Sequence, residues 1–308
     1  MYLPYLRGRQ YELLALRELL EHSLIGSHII PIVEPVKLSS TLSKTLDTFV
    51  QAEKDLAVVC NPKVGALIGE ANQPTDFLDG VINQPSIIKA HIVNDRSQLE
   101  LARLFDQGVK RQEIILINSS RNSMDHYPPD FLDVPPRYNL MPYDSSFMRK
   151  LRKNRVVLED KFEKRLRNVD YLDSEDESFS EAHLYYKDDG FVAFSDYSIV
   201  GREYSESGFA PFAVAIHIVY FAADSTLRVK HFLSDSNDDI SDPAGKFYEA
   251  VSKLVQWSRG QRIQSLALRI FEDHYSKGTY PGLGTVKKLS LMHHIEIMSR
   301  YLDEVHPQ

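Results

Sequence analysis

The chain has 308 residues, 43% hydrophobic and 26% charged, and its 36 Lys+Arg against 43 Asp+Glu leave a formal net charge of −7. These proportions exclude a collagen-like, low-complexity or wholly disordered chain. The acidic balance argues against non-specific nucleic-acid binding, which leaves a basic footprint. The single cysteine, Cys60, excludes an internal disulfide and fits a reducing compartment. Set after Leu56-Ala57-Val58-Val59, it reads as a small buried hydrophobe rather than a reactive thiol. The amino terminus lacks a basic region followed by a long apolar run, and no apolar stretch reaches the roughly 18 residues of a membrane span. The expected location is the cytoplasm, with no membrane partner.

The first element is a helix. Between Gln10 and Ile25, Leu13, Leu14, Leu16, Leu19 and Leu20 form a one-face stripe that Gly26 would close as a C-cap. The β-branched run Ile29 to Val36 follows as a strand, although Pro31 would ordinarily push it to an edge. Leu42 to Lys54 is again amphipathic, and Leu56 to Cys60 and Ser86 to Val93 are short apolar runs. A helix from Ser97 to Gln107, capped by Asp95 or Ser97 and ended by Gly108, leads to a strand at Glu113 to Asn118. Residues 122–136 hold four prolines and read as a loop. A weak strand at Tyr138 to Met141, a short basic helix at Ser145 to Lys153 and a strand at Val156 to Leu158 come next.

The acidic run Asp173 to Glu177 reads as a solvated surface excursion, and Ser180 to Asp188 as helical. Phe191 to Phe194 is a strand. Ala213 to Phe221 and Leu227 to Leu233 form a hairpin about a turn at Ala222 to Thr226. Asp242-Pro243 is an N-cap and first-turn pair for a helix over Ala244 to Trp257, with further helices at Ile263 to Tyr275 and Thr285 to Val305.

Eight apolar runs, beginning near Ile29, Leu56, Ser86, Glu113, Tyr138, Arg155, Phe191 and Ala213, are mostly spaced by segments of crossover length. Alternating strands and helices imply parallel pairing, and eight such units predict a TIM-barrel-like (β/α)8 domain with a β-hairpin at strand eight. An open doubly wound sheet is the alternative. No linker separates two cores, so a single domain over 1–308 is expected, its helices over 243–308 completing the ring or forming a cap.

Several runs end in a polar residue: Glu34, Asn61, Asn118, Glu159 and Asp196. Lys89 and His91 lie inside the third run and His217 inside the eighth. Barrel active sites gather at the carboxyl ends of the strands, so these residues would converge on one rim. Lys89, flanked by Ile87, Ile88 and Ala90, is the strongest single signal, because burial would lower its pKa toward that of a base or nucleophile. The catalytic candidates are therefore Lys89, His217, Glu34 and Asp196, and the ligand-binding candidates are Asn61, His91, Asn118 and Glu159. A structural role is open for each, since strands stop where polarity rises.

Other motifs fail. Asp235, Asn237 and Asp239 imitate an EF-hand loop, but Ile240 and Lys246 occupy the glycine and closing-glutamate positions. Ala244-Gly245-Lys246-Phe247 lacks the remaining features of a phosphate loop, and Pro281 to Thr285 reads as helix entry rather than a dinucleotide fingerprint. His293 and His294 fall on different helix faces, and Ser195 lacks the glycines of a nucleophile elbow. No metal motif emerges and the residues name no cofactor.

Tyr5 to Leu13, Ile32 to Lys37, Asn61-Pro62, Gly190 to Gly201 and Ala213 to Tyr220 together resemble the "beta protein" family of bacterial and phage proteins, across nearly the whole chain. That resemblance implies a single domain and no particular reaction, and it carries over no catalytic residues. The association of such proteins with mobile and defence loci implies a phage-defence role. Two functional readings follow: an enzyme or ligand-binding barrel with Glu34, Asn61, Lys89, Asp196 and His217 at its mouth, or a non-catalytic sensor or interaction subunit. In the second reading the hairpin near Ala222 and the acidic loop near Glu175 would dock a protein partner encoded nearby.

Overall fold

Short β-branched runs separated by amphipathic segments build a parallel sheet whose strands are covered on both faces. In the computed structural model, which describes residues 1–67, 84–205 and 212–307, eight strands pair in parallel. They are β1 (Tyr5–Leu6), β2 (Ile32–Val33), β3 (Leu56–Val59), β4 (Ile87–Ile92), β5 (Ile114–Ile117), β6 (Tyr138–Met141), β7 (Arg155–Glu159) and, after an excursion through β8 (Asp176–Ser180), β9 (Ala193–Asp196). Tyr2 closes the seam, bridging Ile29 on one side and Phe194 on the other. The Leu3 N–H donates to the Phe194 carbonyl at 2.9 Å across it. The result is a TIM-barrel-like α/β fold.

One residue parity from every strand meets in a single apolar cluster: Tyr5, Ile32, Ala57, Val59, Ile88, Ala90, Ile92, Ile115, Ile117, Leu140, Val156, Leu158 and Ala193, with Leu3, Ile30 and Tyr197. A set drawn from alternate positions of all eight strands is the barrel lumen. Truncating one of its isoleucines to Ala costs about 2–5 kcal/mol.

Helices α1 (Gln10–Glu21), α2 (Ser40–Gln51), α3 (Ser97–Asp106), α4 (Asp130–Asp133), α5 (Ser145–Lys150) and α6 (Ala182–Tyr185) lie between the strands in sequence. Their starts follow local chemistry: Ser39 accepts the Leu42 N–H at 3.2 Å, and Asp144 accepts the Ser146 N–H at 2.7 Å. Arg96, rather than Asp95 or Ser97, holds the cap position of α3, because the Ser97 hydroxyl is taken by the Asn94 N–H at 2.8 Å and by His91.

The chain divides into two compact units, one of Met1–Leu13, Ser27–Asp160 and Ala182–Tyr197 containing the barrel, the other of Leu14–Gly26, Lys161–Glu181 and Ser198–Gln308. In the second unit β10 (Ala215–Phe221), β11 (Leu227–Leu233) and β8 form an antiparallel sheet in the order β10-β11-β8. Helices α7 (Pro243–Gln261), α8 (Leu266–Lys277) and α9 (Leu283–Val305) pack in sequence, with α7 and α9 against that sheet. Asp242 caps α7, accepting the Gly245 N–H at 2.9 Å, and Pro243 opens the helix.

Three expectations change. The Ala213 run is not a barrel strand; the hairpin belongs to the separate sheet, and the two-residue β1 completes the eight. A two-residue strand has no periodicity to read. The acidic run is not a solvated excursion, since Asp176 and Glu177 enter β8. There Asp176 meets Arg228 of the neighbouring strand at 2.7 Å and Glu177 meets Arg165 at 3.0 Å, so opposite charge recruits the segment into the sheet. The helix expected from Ser180 shortens to Ala182–Tyr185 for the same reason, because Ser180 ends β8. Among the described residues, no helix is long and apolar enough to cross a membrane.

Candidate functional site

At the carboxyl end of the lumen the apolar parity gives way to charge. Glu34 continues the inward positions Ile30 and Ile32 and is fully buried. It is satisfied by three donors: the Tyr5 hydroxyl on Oε2 at 2.7 Å, the Arg7 guanidinium on the same oxygen, and the Lys63 backbone N–H on Oε1 at 2.7 Å. The Arg7 guanidinium also lies 5.3 Å from the centroids of both the Tyr5 and Tyr197 rings, which are 4.9 Å apart. Burial works against the Arg7 cation, yet Glu34, Tyr5 and Tyr197 together outweigh it and its pKa rises. Burial first, and then Glu34, push the Tyr5 phenol well above its usual range.

The same loop that delivers the Lys63 N–H carries Asn61, whose amide acts as an extra rung of the ladder. Its Oδ1 accepts the Ile92 N–H at 2.8 Å and its Nδ2 donates to the Ile92 carbonyl at 2.9 Å and to Glu100 at 2.7 Å. His91, on the outward face of β4, has its Nε2 2.9 Å from the Ser97 hydroxyl and 3.8 Å from Glu100. Burial pulls His91 down to about 4 against the attraction of Glu100, so the imidazole is neutral at neutral pH. Burial alone would raise Glu100, but hydrogen bonds from Asn94 and Asn61 hold it below the usual carboxylate range. An arc of polar groups thus runs from Tyr197 through Arg7, Glu34 and the Lys63 loop to Asn61 and its partner Glu100.

The remaining candidates lie elsewhere. Lys89 does not face the mouth: Ile88, Ala90 and Ile92 take the lumen positions, so period two turns Lys89 and His91 outward. The Lys89 Nζ, half-buried, donates to the Ile87 carbonyl at 2.9 Å. Burial lowers its pKa, with Cys60 and Glu113 opposing. Asp196 also has the outward parity and accepts the Tyr2 hydroxyl at 2.7 Å, beside the stacked Tyr2 and Phe194 rings. Asn118 extends the ladder to β6, its Nδ2 3.2 Å from the Leu140 carbonyl, while its buried Oδ1 has no hydrogen-bond partner among the described residues. Glu159 ends β7 on the outward parity. His217 sits in β10 of the second unit, because the strand expected to bring it to the rim belongs to the other sheet.

The arc therefore unites Glu34 and Asn61 and adds Tyr5, Arg7 and Tyr197, while His91 lies outside the lumen against α3. The alternation Leu3-Tyr5-Arg7 was the available sequence signal for two of these, but too few residues repeat it to define a strand. Cys60, buried after β3, has its thiol pushed up to about 12 by desolvation and is no thiolate at neutral pH. Among the described residues, no group of three or more His, Cys, Asp or Glu side chains could hold a metal ion. A hollow of about 430 Å³ bordered by Phe105, Lys110, Arg111 and Val134 lies before β5, at the opposite strand end, where barrel residues serve stability. No family model, curated protein or solved structure matches the chain.

Proposed function

We propose that the barrel is a small-molecule-binding protein whose site is the arc at the carboxyl ends of β9, β1, β2, β3 and β4. The observation that carries this reading is the buried Glu34–Arg7 pair, set between two tyrosine rings inside an otherwise apolar lumen. Buried ion pairs usually stabilise no better than a well-packed apolar pair, so stability alone is a weak reason to keep one at the end where barrels build their sites. Because Glu34 and Arg7 already compensate each other, the ligand class is an uncharged polar molecule with a flat face for the tyrosines and hydroxyl or amide groups for the polar edge. Binding is favoured over covalent chemistry: Lys89 faces away from the lumen and the Cys60 thiol stays protonated.

On the resemblance of its segments to the "beta protein" family, we further propose that the protein serves bacterial phage defence as a ligand-sensing subunit with a protein partner. That resemblance is the sole support for the biological setting, and plaque counts on cells with and without the gene test it.

For the site, thermal-shift measurements with a panel of nucleosides and free sugars, and with nucleotides and dicarboxylates as charged contrasts, are made on the native chain and on Arg7→Met/Glu34→Leu. Some uncharged members should raise the melting temperature of the native chain and leave the double variant unmoved. Equal shifts in both proteins, or none in either, would overturn the site.

A further inference from the structure

The second unit contains a pair of histidines that the barrel site does not use. His217 and His231 stand directly opposite each other across β10 and β11. The His231 N–H turns away to the Glu175 carbonyl at 2.8 Å, which makes this a non-hydrogen-bonded position, where opposed side chains come closest. Their Nδ1 atoms are 2.7 Å apart, a hydrogen bond that requires one ring to donate and the other to accept. Glu177 Oε1 lies 3.4 Å from His231 Nε2, close enough for the carboxylate to favour a proton on that nitrogen. His231 Nδ1 is then the acceptor, and His217 Nδ1 donates.

A strap of chain lies across this pair. The Tyr171 ring is centred 4.7 Å from the His217 ring and 4.5 Å from that of His231, and Phe162 packs edge-on against His217 at 5.1 Å. Arg165 ties the strap to Glu177 at 3.0 Å, and its backbone N–H donates to the Tyr171 hydroxyl at 3.1 Å. Asn168 donates to the Ala213 carbonyl at 2.7 Å and supplies a tether that does not titrate.

The charged surroundings are mixed. Glu177 and Asp176 of β8 favour a proton on His231, while Arg165 opposes it and is itself paired with Glu163. Lys287 of α9 opposes a proton on His217. Arg228 and Lys230 project from the other face of the sheet, where they meet Asp176. Burial among the rings lowers both imidazoles below their ordinary value, His217 more strongly.

We propose that the His217–His231 pair is a proton-sensitive clasp that pins the Phe162–Tyr171 strap to the sheet while the pair holds at most one proton, and releases it when a second arrives. One proton converts the contact into a charge-assisted N–H···N bond facing Glu177. A second leaves two donors and no acceptor, with like charges in contact, so the pair must separate and take the overlying Tyr171 ring with it.

The test is hydrogen exchange of the full chain between pH 7.5 and 4.5, corrected for intrinsic rates, with the ring nitrogens followed by ¹⁵N NMR. Protection over residues 162–171 should fall with acid ahead of the barrel strands, by about tenfold per pH unit for each proton taken up on opening. The NMR should show protonated Nδ1 on His217 and protonated Nε2 on His231 at neutral pH. In His231→Gln the acid dependence should flatten, and His217→Gln serves equally if the first variant folds poorly. Strap protection that holds to pH 4.5, or histidines titrating independently near the ordinary value, would overturn the clasp; the NMR outcome needs no variant.

Discussion

The barrel arc and the histidine pair keep polar groups away from water in opposite ways. Glu34 is compensated by a cation and two further donors, so removing any partner exposes a charge that the lumen cannot solvate. His217 and His231 depend instead on one ring accepting what the other donates. The difference teaches where each region is vulnerable: the arc to loss of a partner, the pair, on the proposed clasp, to a second proton.

The sharpest way to break the comparison is to uncouple the arc. Glu34→Ala should destabilise the chain by about 3–5 kcal/mol, because Arg7 is left buried without its counter-charge. Arg7→Met/Glu34→Leu should regain most of that loss in denaturant titrations. If the double variant is no better than the single one, the pair is not self-compensating.

The second prediction concerns acid. His91 and His293 both fall to about 4, chiefly by burial, so the folded chain binds fewer protons than the unfolded one below the ordinary value of 6.5. Their contribution is present at neutral pH and is lost as the pH falls from about 6.5 toward 4, by about 1.4 kcal/mol per pH unit for each group at the steepest. His293 is held by the Ser265 hydroxyl at 2.8 Å and the Val219 carbonyl at 2.9 Å. His293→Gln should remove one proton from the slope of stability against pH, measured by denaturant unfolding at each pH.

Smaller effects sharpen the map. Asn61→Leu removes the side-chain acceptor of the Ile92 N–H and one of the two donors to its carbonyl, the other being Asn94, and should cost about 1–3 kcal/mol in the same assay. Lys89→Met should change stability by no more than about 0.5 kcal/mol and leave any ligand-induced thermal shift intact, since the side chain is outside the lumen. A lost thermal shift in Lys89→Met would move the site away from the arc.

Much of the fold was legible because its signals are local. The amphipathic stripe of α2, the Asp242-Pro243 entry to α7 and the apolar runs that became β3, β4 and β5 each identify themselves within about a dozen residues. The candidate site was half legible. Glu34 and Asn61 announced themselves as polar ends of strands, whereas Tyr5 and Arg7 were hidden in two residues of strand. His217 was misplaced because an apolar run cannot say which sheet will receive it.

What the sequence by itself determined, then, is the set of elements, their caps and the alternation that gives Lys89 and His91 one face and Ile88 and Ala90 the other. What only the tertiary structure decided is which of those faces is the lumen, and which runs close the barrel. The reason is physical: strands of a parallel barrel are buried on both sides, so both faces carry apolar side chains and period two cannot tell inside from outside. Only closure through Tyr2, and the docking of β8 against the basic strand β11, resolve it.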